Sequence, residues 1–80
     1  MLDKIREIMT RYVDVEPSAI TEESNLANDL GLTSFAVMSM MGDFEEEFGI
    51  TVDETQLTDI YTVGDIIAFI KKMQAEEADA

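Results

Sequence analysis

The 80-residue sequence has no Cys, no His and no Trp, one Pro, and 5 Lys and Arg against 18 Asp and Glu. Each shortage excludes something. Without Cys there is no disulfide framework and no thiol nucleophile. Without His there is no imidazole base, no His–Ser pair and no His metal site. A carboxylate-only active site is compatible with the composition, but no cleft-building pattern and no phosphate-binding Gly loop accompanies the carboxylates. No apolar run reaches the length of a membrane span. Met1-Leu2-Asp3-Lys4 lacks the pattern of a signal peptide, so cytoplasm is the expected location.

What is present is apolar material and negative charge. At 46% hydrophobic residues the chain can build one modest core. A net charge of −13 would repel nucleic acid and anionic membranes and draw basic protein surfaces. Composition alone also allows the simpler reading, that the acids keep the chain soluble.

Apolar positions predict an all-α domain. Leu2, Ile5, Ile8, Met9, Tyr12 and Val13 fall at helical spacing, giving a first helix over about 2–14 that ends before Pro17. A long connection, about 15–33, holds Pro17, Ser18, Ser24, Asn25, Asn28 and Gly31, which favour turns. Ile20, Leu26, Leu30 and Leu32 within it suggest that it packs on the core. Val37, Met40, Met41, Phe44 and Phe48 form one narrow stripe of a second helix over about 34–48, with Gly49 as its stop. A short helix or turn is expected over about 54–60. Thr62 and Asp65 then resemble a capping box opening a last helix, whose stripe is Val63, Ile66, Ile67, Ile70 and Met73. Lys71 and Lys72 near its end suit the helix dipole. The sum is a small up-and-down bundle of three main helices and one short one, with a long first loop.

The segment with chemical interest is Asp29-Leu30-Gly31-Leu32-Thr33-Ser34-Phe35, a loop end running directly into a helix. Either Thr33 or Ser34 would cap it. A phosphate on Ser34 would meet unpartnered N–H groups and the positive end of the dipole. The outward face of the same helix carries Phe35, Met38, Ser39, Gly42, Glu45 and Glu46. Phe35 and Met38 beside Ser34 read as a docking patch, unless the loop covers them. Glu45, Glu46 and Glu47 face the negative end of the dipole, each at a cost of about 0.3–1 kcal/mol. That placement suggests contact with basic partners rather than stability. Gly42 in mid-helix costs about 1 kcal/mol relative to Ala, for a partner's close approach or for packing against the loop.

Three blocks together resemble the acyl carrier protein family: the Asp29–Phe35 segment, Phe44-Glu45-Glu46-Glu47-Phe48-Gly49-Ile50, and Tyr61-Thr62-Val63-Gly64-Asp65. Order and spacing agree from about Leu2 to Lys72. The resemblance implies a four-helix bundle, here over residues 1–74; residues 75–80, acidic and without an apolar stripe, are expected to form a flexible tail. It implies covalent 4′-phosphopantetheine on Ser34, taken from coenzyme A by a phosphopantetheinyl transferase. It implies thioester-bound acyl or related intermediates of a fatty-acid, polyketide, peptide or specialised lipid pathway. Phe35, Met38, Glu45 and Glu46 would meet basic docking patches on acyl-loading and acyl-processing enzymes. Such a carrier is a monomer, with no residue assigned to catalysis or to a metal. Most members have Asp-Ser-Leu where this chain has Thr33-Ser34-Phe35, and fatty-acid carriers usually have acids where Ala36 and Ser39 stand. An unmodified, carrier-like acidic docking module stays open as the alternative. A calcium-sensing module does not, because neither Asp43–Gly49 nor Asp53–Ile60 has alternating oxygen ligands with a central Gly and a terminal Glu.

Overall fold

Helical apolar stripes must bury against one another, and here three of them do. The computed structural model describes residues 1–78. It contains α1 (Leu2–Met9), α2 (Ser34–Phe48) and α3 (Val63–Ala78), with short 3₁₀ turns at Pro17–Ala19 and Glu54–Leu57. The short fourth helix expected over 54–60 is the second of these turns. Ile5, Ile8 and Met9 of α1, Met40, Met41 and Phe44 of α2, and Val63, Ile66 and Ile70 of α3 are buried together. Each such side chain contributes about 1.5–3 kcal/mol relative to its exposed state. Val37 and Phe48 flank this centre, partly buried.

Two helix ends differ from expectation. α1 stops at Met9 rather than near residue 14. Beyond it the N–H groups of Arg11 and Tyr12 bond the carbonyls of Ile8 and Met9, three residues back. This tighter winding still turns Tyr12 and Val13 toward the core, so apolar spacing alone does not reveal the change. α3 runs on through Ala78, so residues 75–78 are helical where the sequence predicts an acidic tail. Ala75 and Glu76 are exposed there, and Ala and Glu are strong helix formers that sustain the helix by propensity. Lys71 and Lys72 therefore lie inside α3 instead of in its last turn, and residues 79 and 80 lie outside the described segment.

The long first connection is pinned throughout. Arg6 Nε donates to the Ile20 carbonyl at 2.8 Å, tying the loop to α1. Ile20, Leu26 and Leu32 are buried. Asn25 and Thr62 form an isolated antiparallel bridge. Around it, Leu26 N–H donates to the Tyr61 carbonyl at 2.8 Å and Val63 N–H to the Ser24 carbonyl at 3.1 Å. Gly64 N–H reaches the Glu22 carbonyl at 2.8 Å. A Cβ on Gly64 would stand 3.1 Å from that same carbonyl oxygen, so any larger residue would have to push the two segments apart by a few tenths of an ångström. The loop is thus stitched to the start of α3, and its far end is delivered to α2.

Candidate functional site

The loop end is shaped by reciprocal side-chain caps. Asn25 Oδ1 accepts from the N–H groups of Ala27 and Asn28 at 3.0 and 2.8 Å. Asp29 Oδ2 accepts from Asn25 N–H at 2.7 Å. The resulting turn closes at Gly31, whose φ of 67° lies in the left-handed region. Leu32 then drops into the core, and its N–H bonds the Leu26 carbonyl at 2.8 Å. Thr33 follows in extended conformation and is the N-cap of α2: its Oγ1 accepts from Ala36 N–H at 3.1 Å. Its carbonyl accepts from Val37 N–H at 2.9 Å. Of the two expected capping residues, Thr33 caps and Ser34 is left free.

Ser34 is the first residue of α2, and its side chain is exposed. Among the described residues its hydroxyl has no hydrogen bond, and the N–H groups of Ser34 and Phe35 have no partner. An anion on Ser34 Oγ would find two free donors and the positive end of a 15-residue helix.

Phe35 is 80% and Met38 43% exposed, so the loop does not cover them. Gly42 has nothing within 4 Å of where a Cβ would stand, which removes loop packing as its reason. From Ser34 to Gly42 the helix carries no charge at all; its acids are Asp43, Glu45, Glu46 and Glu47. These have different employment. Tyr12 Oη donates to Asp43 Oδ2, which holds the phenol above its usual pKa, and Arg11 stands 3.8 Å from the same carboxylate. Lys4 pairs with Glu47 at 3.3 Å. These contacts join α1 and the turn that follows it to α2. Glu45 and Glu46 have no ion-pair partner among the described residues, Glu46 being exposed and Glu45 half-buried.

A cleft of about 480 Å³ opens beside Ser34. Its walls come from the 25–32 loop end, the early part of α2 and the 57–61 segment, with Leu26, Val37, Met38, Leu57 and Ile60 among its apolar lining. Its size is in the range of small-molecule sites. Sequence reasoning missed it, together with Asn25, Thr58 and Tyr61 on its wall. The available signal was the Leu57–Ile60 pair, spaced for one face of a turn, with Tyr61 beside it.

Residues 3–70 match the family model described as a phosphopantetheine attachment site. The chain is 40% identical over 72 residues to an acyl carrier protein of Thermotoga maritima, covering 90% of this chain and 89% of that one. It belongs to the acyl carrier protein family. An acyl carrier protein of Amoebophilus asiaticus is 36% identical, with 92% of each chain covered. A solved acyl carrier protein from Enterococcus faecalis superposes with a TM-score of 0.75 at 29% identity, covering 90% of this chain and 91% of that one. As an acyl carrier protein the chain is a carrier and not an enzyme. It holds acyl intermediates on covalently attached 4′-phosphopantetheine and works with a phosphopantetheinyl transferase and acyl-processing enzymes. When bound, that group supplies the thiol on which thioesters form. The residues present fit it: a free hydroxyl, two unpartnered N–H donors for a phosphodiester and an apolar cleft alongside. Among the described residues no helix is long and apolar enough to cross a membrane.

Proposed function

We propose that Ser34 is the attachment residue, and that the outward face of α2 presents the loaded arm to partner enzymes. The observation that carries the assignment is the free Ser34 hydroxyl on the first turn of α2, with the N–H groups of Ser34 and Phe35 unpartnered beside it. A phosphodiester there gains two donors and a favourable dipole. Thr33 supports the same reading, since it takes over the capping duty that would otherwise occupy the serine.

Partners meet Phe35 and Met38 next to the attachment point, and Glu45 and Glu46 further along the helix. Glu46 lies eleven positions after Phe35, about 16 Å along the axis. The complementary enzyme surface has an apolar depression near its active-site entrance and a basic patch about that far away. The carrier acts as a cytoplasmic monomer.

The test is intact mass after incubation with coenzyme A, magnesium and a broad-specificity phosphopantetheinyl transferase. One phosphopantetheine should be gained by the wild type and none by Ser34→Ala, which should fold normally. Loading of Ser34→Ala, or no loading of the wild type by several transferases, overturns the assignment. The second result favours an unmodified docking module.

A further inference from the structure

The sequence has six Met and no Cys, so thioethers are its most readily oxidised side chains. Met9, Met40, Met41 and Met73 are buried in the core, shielded from solvent. Met1 and Met38 are 42% and 43% exposed. Met1 precedes α1 and is no part of α2. Met38 stands on α2, four positions after Ser34 and three after Phe35, so it shares a helix face with both. Four positions rise about 6 Å along the axis. The accessible thioether of α2 is thus the one beside the attachment point, while its two neighbours on the same helix, Met40 and Met41, are fully covered.

Oxidation changes what this face offers. A peroxide transfers one oxygen atom to the thioether. Sulfur gives up two electrons and becomes the sulfoxide, the O–O bond breaks, and the rest of the peroxide leaves as water. The product is polar, with an oxygen that accepts hydrogen bonds. From Ser34 to Gly42 the helix has no cation to pair with that oxygen. A partner that encloses Met38 in an apolar depression would have to bury the oxygen without a donor.

We propose that Met38 is a peroxide-sensitive modification site, and that its sulfoxide weakens the hold of partner enzymes on the carrier until it is reduced. The proposal rests on the docking role of Phe35 and Met38. Reduction returns the thioether: two thiols of a reductant become a disulfide, and the oxygen leaves as water. Burial of one unpaired acceptor lowers the efficiency of docking by about tenfold.

The experiment treats the chain without its arm with hydrogen peroxide and then removes the peroxide with catalase. Tandem mass spectrometry follows the sulfoxide fraction at each Met against time. The chain is then loaded from coenzyme A by a phosphopantetheinyl transferase. Its kcat/KM is measured before oxidation, after it, and after methionine sulfoxide reductases of both stereospecificities with dithiothreitol. Met38→Leu, which keeps Met1, passes through the same steps, and each protein is compared with its own untreated form. Thermal unfolding checks the fold, which oxidation of an exposed side chain should barely affect. Met38 should oxidise about tenfold or more faster than the four buried methionines. The wild-type kcat/KM should fall about tenfold and recover on reduction. Met38→Leu should show no change on treatment. Oxidation of Met38 no faster than that of the buried methionines, an unchanged kcat/KM after its full conversion, or an equal fall in Met38→Leu overturns the proposal. A fall that reduction does not reverse overturns its reversible part. Phe35→Ala, left untreated, separates this result from the docking role itself. If Phe35→Ala loads more slowly while the sulfoxide loads normally, the proposal alone fails. If both load like wild type, the docking role of the pair fails as well. No loading of untreated wild type removes the assignment of Ser34 and the proposal with it.

Discussion

Replacing glycine by alanine should change stability in opposite directions at two helical positions. Gly42 lies inside α2, exposed, with open space wherever its Cβ would point. Alanine there gains the full difference in helix propensity, about 0.8–1 kcal/mol, with nothing to offset it. Gly64 lies in the first turn of α3, and its new Cβ would sit 3.1 Å from the Glu22 carbonyl oxygen. That oxygen already accepts the Gly64 N–H at 2.8 Å, so it cannot retreat without weakening the bond that holds the loop. Overpacking of this kind costs about 1–3 kcal/mol, more than the small propensity gain of a first-turn position. Thermal unfolding followed by circular dichroism reads both. For a domain of this size 1 kcal/mol moves the midpoint by about 4–8 °C. Gly42→Ala should melt about 4–8 °C above wild type and Gly64→Ala below it. A Gly42→Ala protein no more stable than wild type would show that the outer face of α2 is not free. Two shifts of the same sign would refute the distinction between open and closed surroundings.

Charge gives further tests. Asp65 accepts from the N–H groups of Tyr61 and Thr62, which hold its carboxyl below its ordinary value of 3.8. A carboxylate depressed in the folded state contributes stability that is complete above 3.8 and lost as pH falls through its own lower value. Acid unfolding should therefore be less steep between about pH 4 and 2 in Asp65→Asn, and an unchanged slope would assign acid sensitivity elsewhere. Thr33→Ala removes the acceptor for Ala36 N–H and should cost about 1 kcal/mol, read as a lower unfolding midpoint. Glu45→Lys with Glu46→Lys should act oppositely on two readouts. Each exchange relieves the dipole by about 0.3–1 kcal/mol and raises stability, while affinity for a cognate enzyme and its salt dependence both fall. Unchanged affinity would remove the acidic pair from the docking face.

Legibility followed the reach of the interactions. The stripes of α2 and α3 are local and repeat at one helical period, so the sequence shows them, with Val37 and Phe48 of the α2 stripe partly rather than fully buried. So was the Thr62–Asp65 box, because its partners are three residues apart. The end of α1 is not legible, because bonds spanning three residues and four residues turn apolar side chains nearly the same way. The bridge from Asn25 to Thr62 and the approach of Gly64 to Glu22 join distant parts of the chain, and nothing in either segment names the other. The cleft depends on that stitching, since it is the bridge that sets Tyr61 opposite the start of α2. Ser34 was legible as a helix-start serine, but the division of labour that frees its hydroxyl is a matter of which neighbour, Thr33 or Ser34, reaches Ala36 N–H.

Under the docking role proposed for its outer face, the composition of α2 is a compromise between folding and contact. Its inner stripe is as apolar as the core requires, with Met40, Met41 and Phe44 fully covered. Its outer face repeatedly departs from what stability alone would select: Phe35 and Met38 exposed to water, Gly42 in an open helical position, Glu45 and Glu46 at the wrong end of the dipole. Asp43 and Glu47 show that acids on this helix can be given cationic partners when the fold needs them, through Arg11 and Lys4. Glu45 and Glu46, which have no ion-pair partner among the described residues, lie on the same face as the exposed apolar pair and the bare glycine. Each departure costs about 1 kcal/mol or less, and a core of fully buried side chains can absorb several of them. On the proposed reading a carrier that docks on partner enzymes gains from such a face, because a partner would supply the contacts that its exposed apolar and acidic side chains lack among the described residues.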